Sequence, residues 1–260
     1  MLGKLLKHEM KATARLLSPI FLILASLTIL NRIVISIDIF KGALRIIPGF
    51  ITFFYVLSIF AIIVVTFVII IYRFYKNLMT DEGYLMFTLP VKSHDLINSK
   101  LIASVLWTVA GFAAVILSIY VIFYGSNVSL AVREYYPIIL DSLRRDYGTL
   151  ITVLNLELII MLILSIFNHI LMVYVSIALG QLFHGHKILG SFASYIGLSV
   201  VIQVLSIFLL VIASYILPTT TEPKMIITQI LPFSILLMIV LNIVYYLLTN
   251  VIFKKKLNLE

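Results

Sequence analysis

Few side chains in this sequence could do chemistry, and they are scattered. Glu157 is the only acid inside a long apolar stretch. An ionisable group in such a setting is costly and often marks a pathway or a gate. A carboxylate near the end of a span can also reach water or pair with a neighbour, so both roles stay open for Glu157. Asn168 and His169 lie deeper in the same stretch, and Gln203 lies in the next one. These three could line a pathway, with His169 sensing protons, or could simply bond one helix to another. His184 and His186, beside Lys187, form a His-x-His pair. Two such ligands without carboxylate or Cys partners read as a solvated turn rather than a metal site.

Other chemistry is missing from the pattern. The chain has no Gly-x-x-x-x-Gly-Lys-Ser/Thr loop to cradle ATP, no Gly-x-Ser-x-Gly elbow and no His-Glu-x-x-His. It has no cysteine, which excludes a disulfide framework, thiol catalysis and Cys-ligated metal. No cofactor is expected on the chain itself, and an autonomous enzyme is disfavoured.

The elements that must position these residues follow from composition. Of 260 residues, 62% are hydrophobic and 12% charged, and the mean hydropathy is +1.17. A soluble domain is nearer half apolar and a quarter charged. Crossing the hydrocarbon core takes about 20 apolar residues in a helix. Six stretches qualify, at about 16–37, 50–72, 101–124, 150–183, 188–217 and 225–253. A β-barrel would alternate apolar and polar residues, and these runs do not. The expected fold class is therefore an all-α polytopic membrane protein, a single transmembrane domain with six transmembrane helices.

Six spans put both ends of the chain on one side. That side carries twelve Lys and Arg against seven on the other, which favours cytoplasmic termini. The net charge of +8 is then a topology signal plus attraction to anionic headgroups. The cations are dispersed around the spans without an aromatic-interleaved patch, so nucleic acid is not an expected partner.

The N-terminal arm, residues 1–18, is amphipathic. Lys4, Lys7, Lys11 and Arg15 share a narrow arc on a helical wheel, with Leu2, Leu5, Leu6 and Met10 opposite. Such a helix lies in the membrane interface, and Pro19 is expected to turn the chain into the first span. Glu9 falls in the middle of the apolar arc. It either snorkels to water or pairs with a cation from another cytoplasmic segment.

The loop 73–100 is too polar to span and too apolar to idle. Tyr84, Leu85, Met86, Phe87 and Leu89 form an apolar run that water would punish. Gly83 lets the backbone turn, Pro90 breaks any helix, and Ser93 can cap a new one. The run either folds back on its own bundle or docks a cytoplasmic protein. On the other side, residues 125–149 suggest a short surface helix starting at Pro137 and capping the bundle.

Two segments resemble a known family. Met1–Arg15 resembles the start of permease subunits of bacterial ABC transporters, from the export class of Gram-positive bacteria. Asp81–Lys100 resembles that group's loop between spans two and three, with Leu89, Pro90, Val91 and Lys100 matching its recurrent pattern. The resemblance implies an interfacial elbow helix at the N-terminus and a coupling helix within 73–100. Tyr84, Leu85, Phe87 and Leu89 would supply the apolar contact to an ATPase subunit, with Gly83 and Pro90 shaping the turn. Asp81, Glu82 and Lys92 would form the polar rim. It implies two copies of an ABC ATPase subunit holding ATP and Mg, and a second permease chain, the same or homologous. It also implies a bacterial plasma-membrane location, a re-entrant element after span five broken by Pro218 and Pro232, and efflux of an antimicrobial peptide or other amphipathic cargo. Two further readings compete: a non-transporting adaptor or sensor that docks a regulator through the same loop, and an intramembrane enzyme acting on lipid through Glu157 or His169.

Overall fold

A computed structural model describes residues 2–36, 46–79, 93–183, 185–216 and 226–255. The described residues are helical apart from short turns, and no strand occurs among them. Among the described residues seven α-helices follow in order: α1 Leu2–Ser36, α2 Ile46–Met79, α3 Ser93–Phe123, α4 Asn127–Tyr147, α5 Leu150–Gly180, α6 Lys187–Ile216 and α7 Leu231–Lys255. A π-helical turn, Ile226–Ile230, leads into α7. All but α4 contain a stretch long and apolar enough to cross a membrane, six in total among the described residues. The chain is a polytopic all-α membrane protein. Its outward apolar side chains, such as Phe53 and Phe60 on α2 and Phe192 and Phe208 on α6, are exposed, as expected where lipid is the solvent.

The chain divides into two compact units. The first comprises residues 1–73 and 98–140, the second 74–97 and 141–260.

In the first unit, α1 buries Glu9, Thr13, Leu17, Leu24, Thr28 and Asn31. These positions recur at helical spacing, so one face of a single helix meets the bundle from arm to span. The expected turn at Pro19 does not occur, and α1 runs through it. Pro19 is exposed, on the side away from that buried stripe. There the missing N–H and the freed carbonyl can be absorbed by gentle curvature, and packing of the other face holds the helix together. At 35 residues and 1.5 Å per residue the helix is about 52 Å long, well beyond the ~30 Å of hydrocarbon. The charged first fifteen residues therefore extend past the span.

Leu24, Tyr55, Ile62, Val115 and Ile122 form the apolar core of this unit. Polar side chains tie the helices together within it. Thr52 donates to Asn31 Oδ1 at 3.0 Å. The Tyr55 and Ser118 hydroxyls meet at 3.1 Å. Arg32 donates to the Ile122 carbonyl at 3.1 Å. Bonds of this kind hold helices together where lipid offers no hydrophobic drive between them.

In the second unit α5 packs against α6 and α7. The α5 face from Ile170 to Ala178 is buried throughout. Tyr174 stacks on Phe74 with ring centroids 3.7 Å apart, and Phe253 meets Phe74 edge-on at 5.9 Å. Between α5 and α6 the chain reverses tightly, with Gly185 at φ +90°. Gly180 lies so close to Ser191 that a Cβ there would sit 2.5 Å from its backbone nitrogen. Asn242 on α7 donates to the Leu164 carbonyl of α5 at 3.2 Å. Pro232 is the second residue of α7 and directly follows the π-helical turn, so the helical backbone continues through it. Pro218 lies outside the described residues.

The helix in 125–149 is longer than expected. It starts at Asn127 and carries Pro137 inside rather than at its first turn. Gly125, at φ +71°, makes the preceding turn, and Ser126 Oγ accepts from the Ser129 amide at 3.4 Å. That turn and cap start the helix ten residues before Pro137. None of its residues is buried.

Candidate functional site: an ion cluster flanking the 80–92 segment

Glu9 sits on the buried stripe of α1, Arg73 near the end of α2, and Lys100 two turns into α3. Helical spacing places Glu9 one turn before Thr13 and two before Leu17, so its carboxylate points into the bundle. There Arg73 donates to Oε2 from Nη2 at 2.7 Å and from Nε at 3.3 Å. Lys100 Nζ donates to Oε1 at 2.6 Å. Both carboxylate oxygens are thus engaged, each by a different helix.

The cluster is largely out of water, with side-chain exposures of 9% for Glu9, 4% for Lys100 and 15% for Arg73. Burial by itself would raise the Glu9 pKa. The Lys100 ammonium and then the Arg73 guanidinium more than offset it, so the carboxyl is held below its ordinary range. Opposite charge and three charge-assisted hydrogen bonds keep it ionised.

This resolves the open reading of Glu9 in favour of an ion pair with other segments. Lys4, Lys7, Lys11 and Arg15 are all exposed, on the side away from Glu9. Arg73 and Lys100 read in the sequence only as topology charges. The signal that could have singled them out is their placement: Arg73 directly follows one long apolar run and Lys100 directly precedes the next, and the one acid of the arm faces inward.

Asp81, Glu82, Gly83, Tyr84, Leu85, Phe87, Leu89, Pro90 and Lys92 lie outside the described residues. Leu78 and Met79 end α2 buried, and Leu96 and Ile97 are buried in the first turns of α3. His94 Nε2 lies 3.3 Å from Asp95 Oδ1.

The candidate pathway residues do not converge. Glu157 is 8% exposed, and its Oε2 has no hydrogen-bond partner among the described residues. Asn168 is half-buried with Nδ2 likewise unpartnered. His169 and Gln203 are exposed. Near Asn168, sequence reasoning missed Asn242 and Tyr245. Asn242 bonds the Leu164 carbonyl, one turn before Asn168, and Tyr245 is buried one turn further along α7. His186 is exposed, and His184 lies outside the described residues. No group of three His, Asp or Glu that could hold a metal occurs among the described residues.

No family model, no curated protein and no solved structure matches the chain.

Proposed function

We propose that this chain is the membrane-spanning permease subunit of an ATP-driven ABC exporter, coupled to a separate ATPase through the segment 80–92. The observation that carries the reading is the Glu9–Arg73–Lys100 cluster. Arg73 stands seven residues before that segment and Lys100 eight residues after it. A soluble partner that grips the segment pulls on α2 and α3 together. The shared carboxylate makes α1 follow, because separating any one helix strands a buried charge. A membrane bundle with two arrangements can be biased by such a linked body, provided the partner binds one arrangement better than the other.

In this reading Tyr84, Leu85, Phe87 and Leu89 fill an apolar cleft of the ATPase, with Asp81, Glu82 and Lys92 around it. Two ATPase copies hold ATP and Mg. A second permease chain, the same or homologous, completes the pathway. The termini face the cytoplasm of a bacterial cell, and an aliphatic and aromatic lining suits a peptide or another amphipathic cargo.

The test is a mild-detergent pull-down of the tagged chain from its native host, with partners identified by mass spectrometry. A stoichiometric soluble protein with a Walker motif is expected. Leu85→Asp and Phe87→Asp should each abolish its co-purification while leaving the chain inserted. No such ATPase, or normal co-purification with both variants, overturns the reading and moves the adaptor to the front.

A further inference from the structure

The helix α4 joins two spans and presents an apolar face that the described residues leave unburied. Val128, Val132, Tyr135, Tyr136 and Leu143 lie along one side at helical spacing, and all are exposed. Arg133, Glu134, Asp141 and Arg144 lie on the other side together with Leu130, and Asp146 falls on the apolar side only in the last turn. In water such a face would be a liability.

The connections at the two ends of α4 say what covers it. Three residues separate α3 from α4, and two separate α4 from α5. Both turns are tight. The Ser126 amide donates back to the Phe123 carbonyl, and the Gly148 amide to the Arg144 carbonyl. Both turns also carry a glycine at positive φ, Gly125 at 71° and Gly148 at 56°. At no more than about 3.5 Å per step, four steps at one end and three at the other, these turns hold the ends of α4 within about 14 Å of the spans they leave. Consecutive spans end and begin at the same membrane face. The helix itself, of 21 residues, is about 32 Å long. Standing upright, it would carry one end far beyond the reach of its turn.

The level of that face is also marked. Residues 101–123 of α3 are uncharged, enough to cross the core, and Tyr120 and Tyr124 are exposed where they end. Tyrosine rings favour the headgroup boundary. Tyr135 and Tyr136 continue the belt along α4.

We infer that α4 lies along the membrane surface, its apolar face set among the lipid headgroups and its charged face in water. The occupant of the face is lipid, at the membrane side where α3 ends and α5 begins. Three arginines, Arg133, Arg144 and Arg145, balance three acids, Glu134, Asp141 and Asp146. Anchoring therefore rests on apolar insertion and needs no anionic lipid. The inference rests on the spans alone and stands whether or not the chain serves an ATPase.

The chain has no cysteine, so single-cysteine variants of the full protein give clean probes. Val132→Cys and Tyr136→Cys test the apolar face, and Glu134→Cys and Asp141→Cys the polar one. All four positions are exposed, so the fold does not depend on them. Each variant is labelled with an environment-sensitive fluorophore and reconstituted in phosphatidylcholine vesicles carrying a nitroxide near the headgroup end of the acyl chain. Probes at 132 and 136 should lose most of their emission to the nitroxide, with no change in high salt. Probes at 134 and 141 should instead be quenched by aqueous iodide. Equal quenching on both faces overturns the inference. Apolar-face probes shielded from both quenchers also overturn it, and would assign the face to a second copy or a partner protein.

Discussion

Replacing Glu9 with glutamine keeps the shape of the side chain and removes its charge. The amide cannot hold two cations, so Lys100 is left in a site where its side chain is 4% exposed. Breaking a buried pair by removing one partner costs about 3–5 kcal/mol, because the other charge stays buried without its counter-ion. At roughly 2–4 °C per kcal/mol for a chain of this size, Glu9→Gln should lower the melting temperature by about 6–20 °C. A direct reporter exists. Trp107 is the only tryptophan, and it packs edge-on against Phe21 of α1 at 5.9 Å. Its fluorescence in a thermal scan of the detergent-solubilised protein follows the parting of α1 from α3, the helices that carry Glu9 and Lys100. The variant Glu9→Gln/Lys100→Met removes the stranded ammonium as well and should regain part of the loss, the non-additivity expected of coupled groups. An unchanged melting temperature in Glu9→Gln, or losses that simply add in the double variant, would refute the clamp.

Two further outcomes follow from the geometry. The Glu9 carboxyl titrates below its ordinary value of 4.5 in the folded chain. Its contribution to stability is therefore fully present above that value and is lost as pH falls below it, through the depressed native pKa. Acid thermal scans should show this loss in the native chain, while Glu9→Gln lacks that component; parallel curves for both would count against the assignment. At the α5–α6 reversal, Gly180→Ala should reduce the yield of folded protein and its melting temperature, despite the helix propensity of alanine. Its Cβ would lie 2.6 Å or less from Ser191 backbone atoms, whereas at Gly190 the nearest atoms to an added Cβ belong to the exposed Phe183 side chain, at 2.7–2.9 Å. Gly190→Ala should be milder, and the reverse order would show that the close approach is not rigid.

The spans were legible because length and apolar content alone fix them. Every apolar stretch of about 20 residues became a helix, since lipid leaves the backbone no other partner. What was not legible is where helices continue or begin. Proline signals a break locally, yet Pro19 is carried inside α1 because the stripe from Glu9 to Asn31 is packed on both sides of it. Pro137 likewise lost to Gly125 and Ser126, whose turn and cap set the start of α4. In both cases the proline lies on an exposed part of the helix, where the carbonyl it frees need not be satisfied by another helix.

The ion cluster shows the same division at the level of the site. The anomaly was visible in sequence as one acid on the apolar side of a basic arm. A carboxylate held there among apolar neighbours implies a cation, but the partners stand 64 and 91 residues away. No local spacing rule reaches that far. Topology narrows the choice, since a partner must come from the same membrane face as the arm. Among the cations of that face, Arg73 directly follows the apolar run of α2 and Lys100 directly precedes that of α3. A charge at such a place has two roles open to it, to mark topology or to meet a buried acid. An inward-facing Glu9 demands the second, and the buried ends of α2 and α3 hold both cations where it can be met.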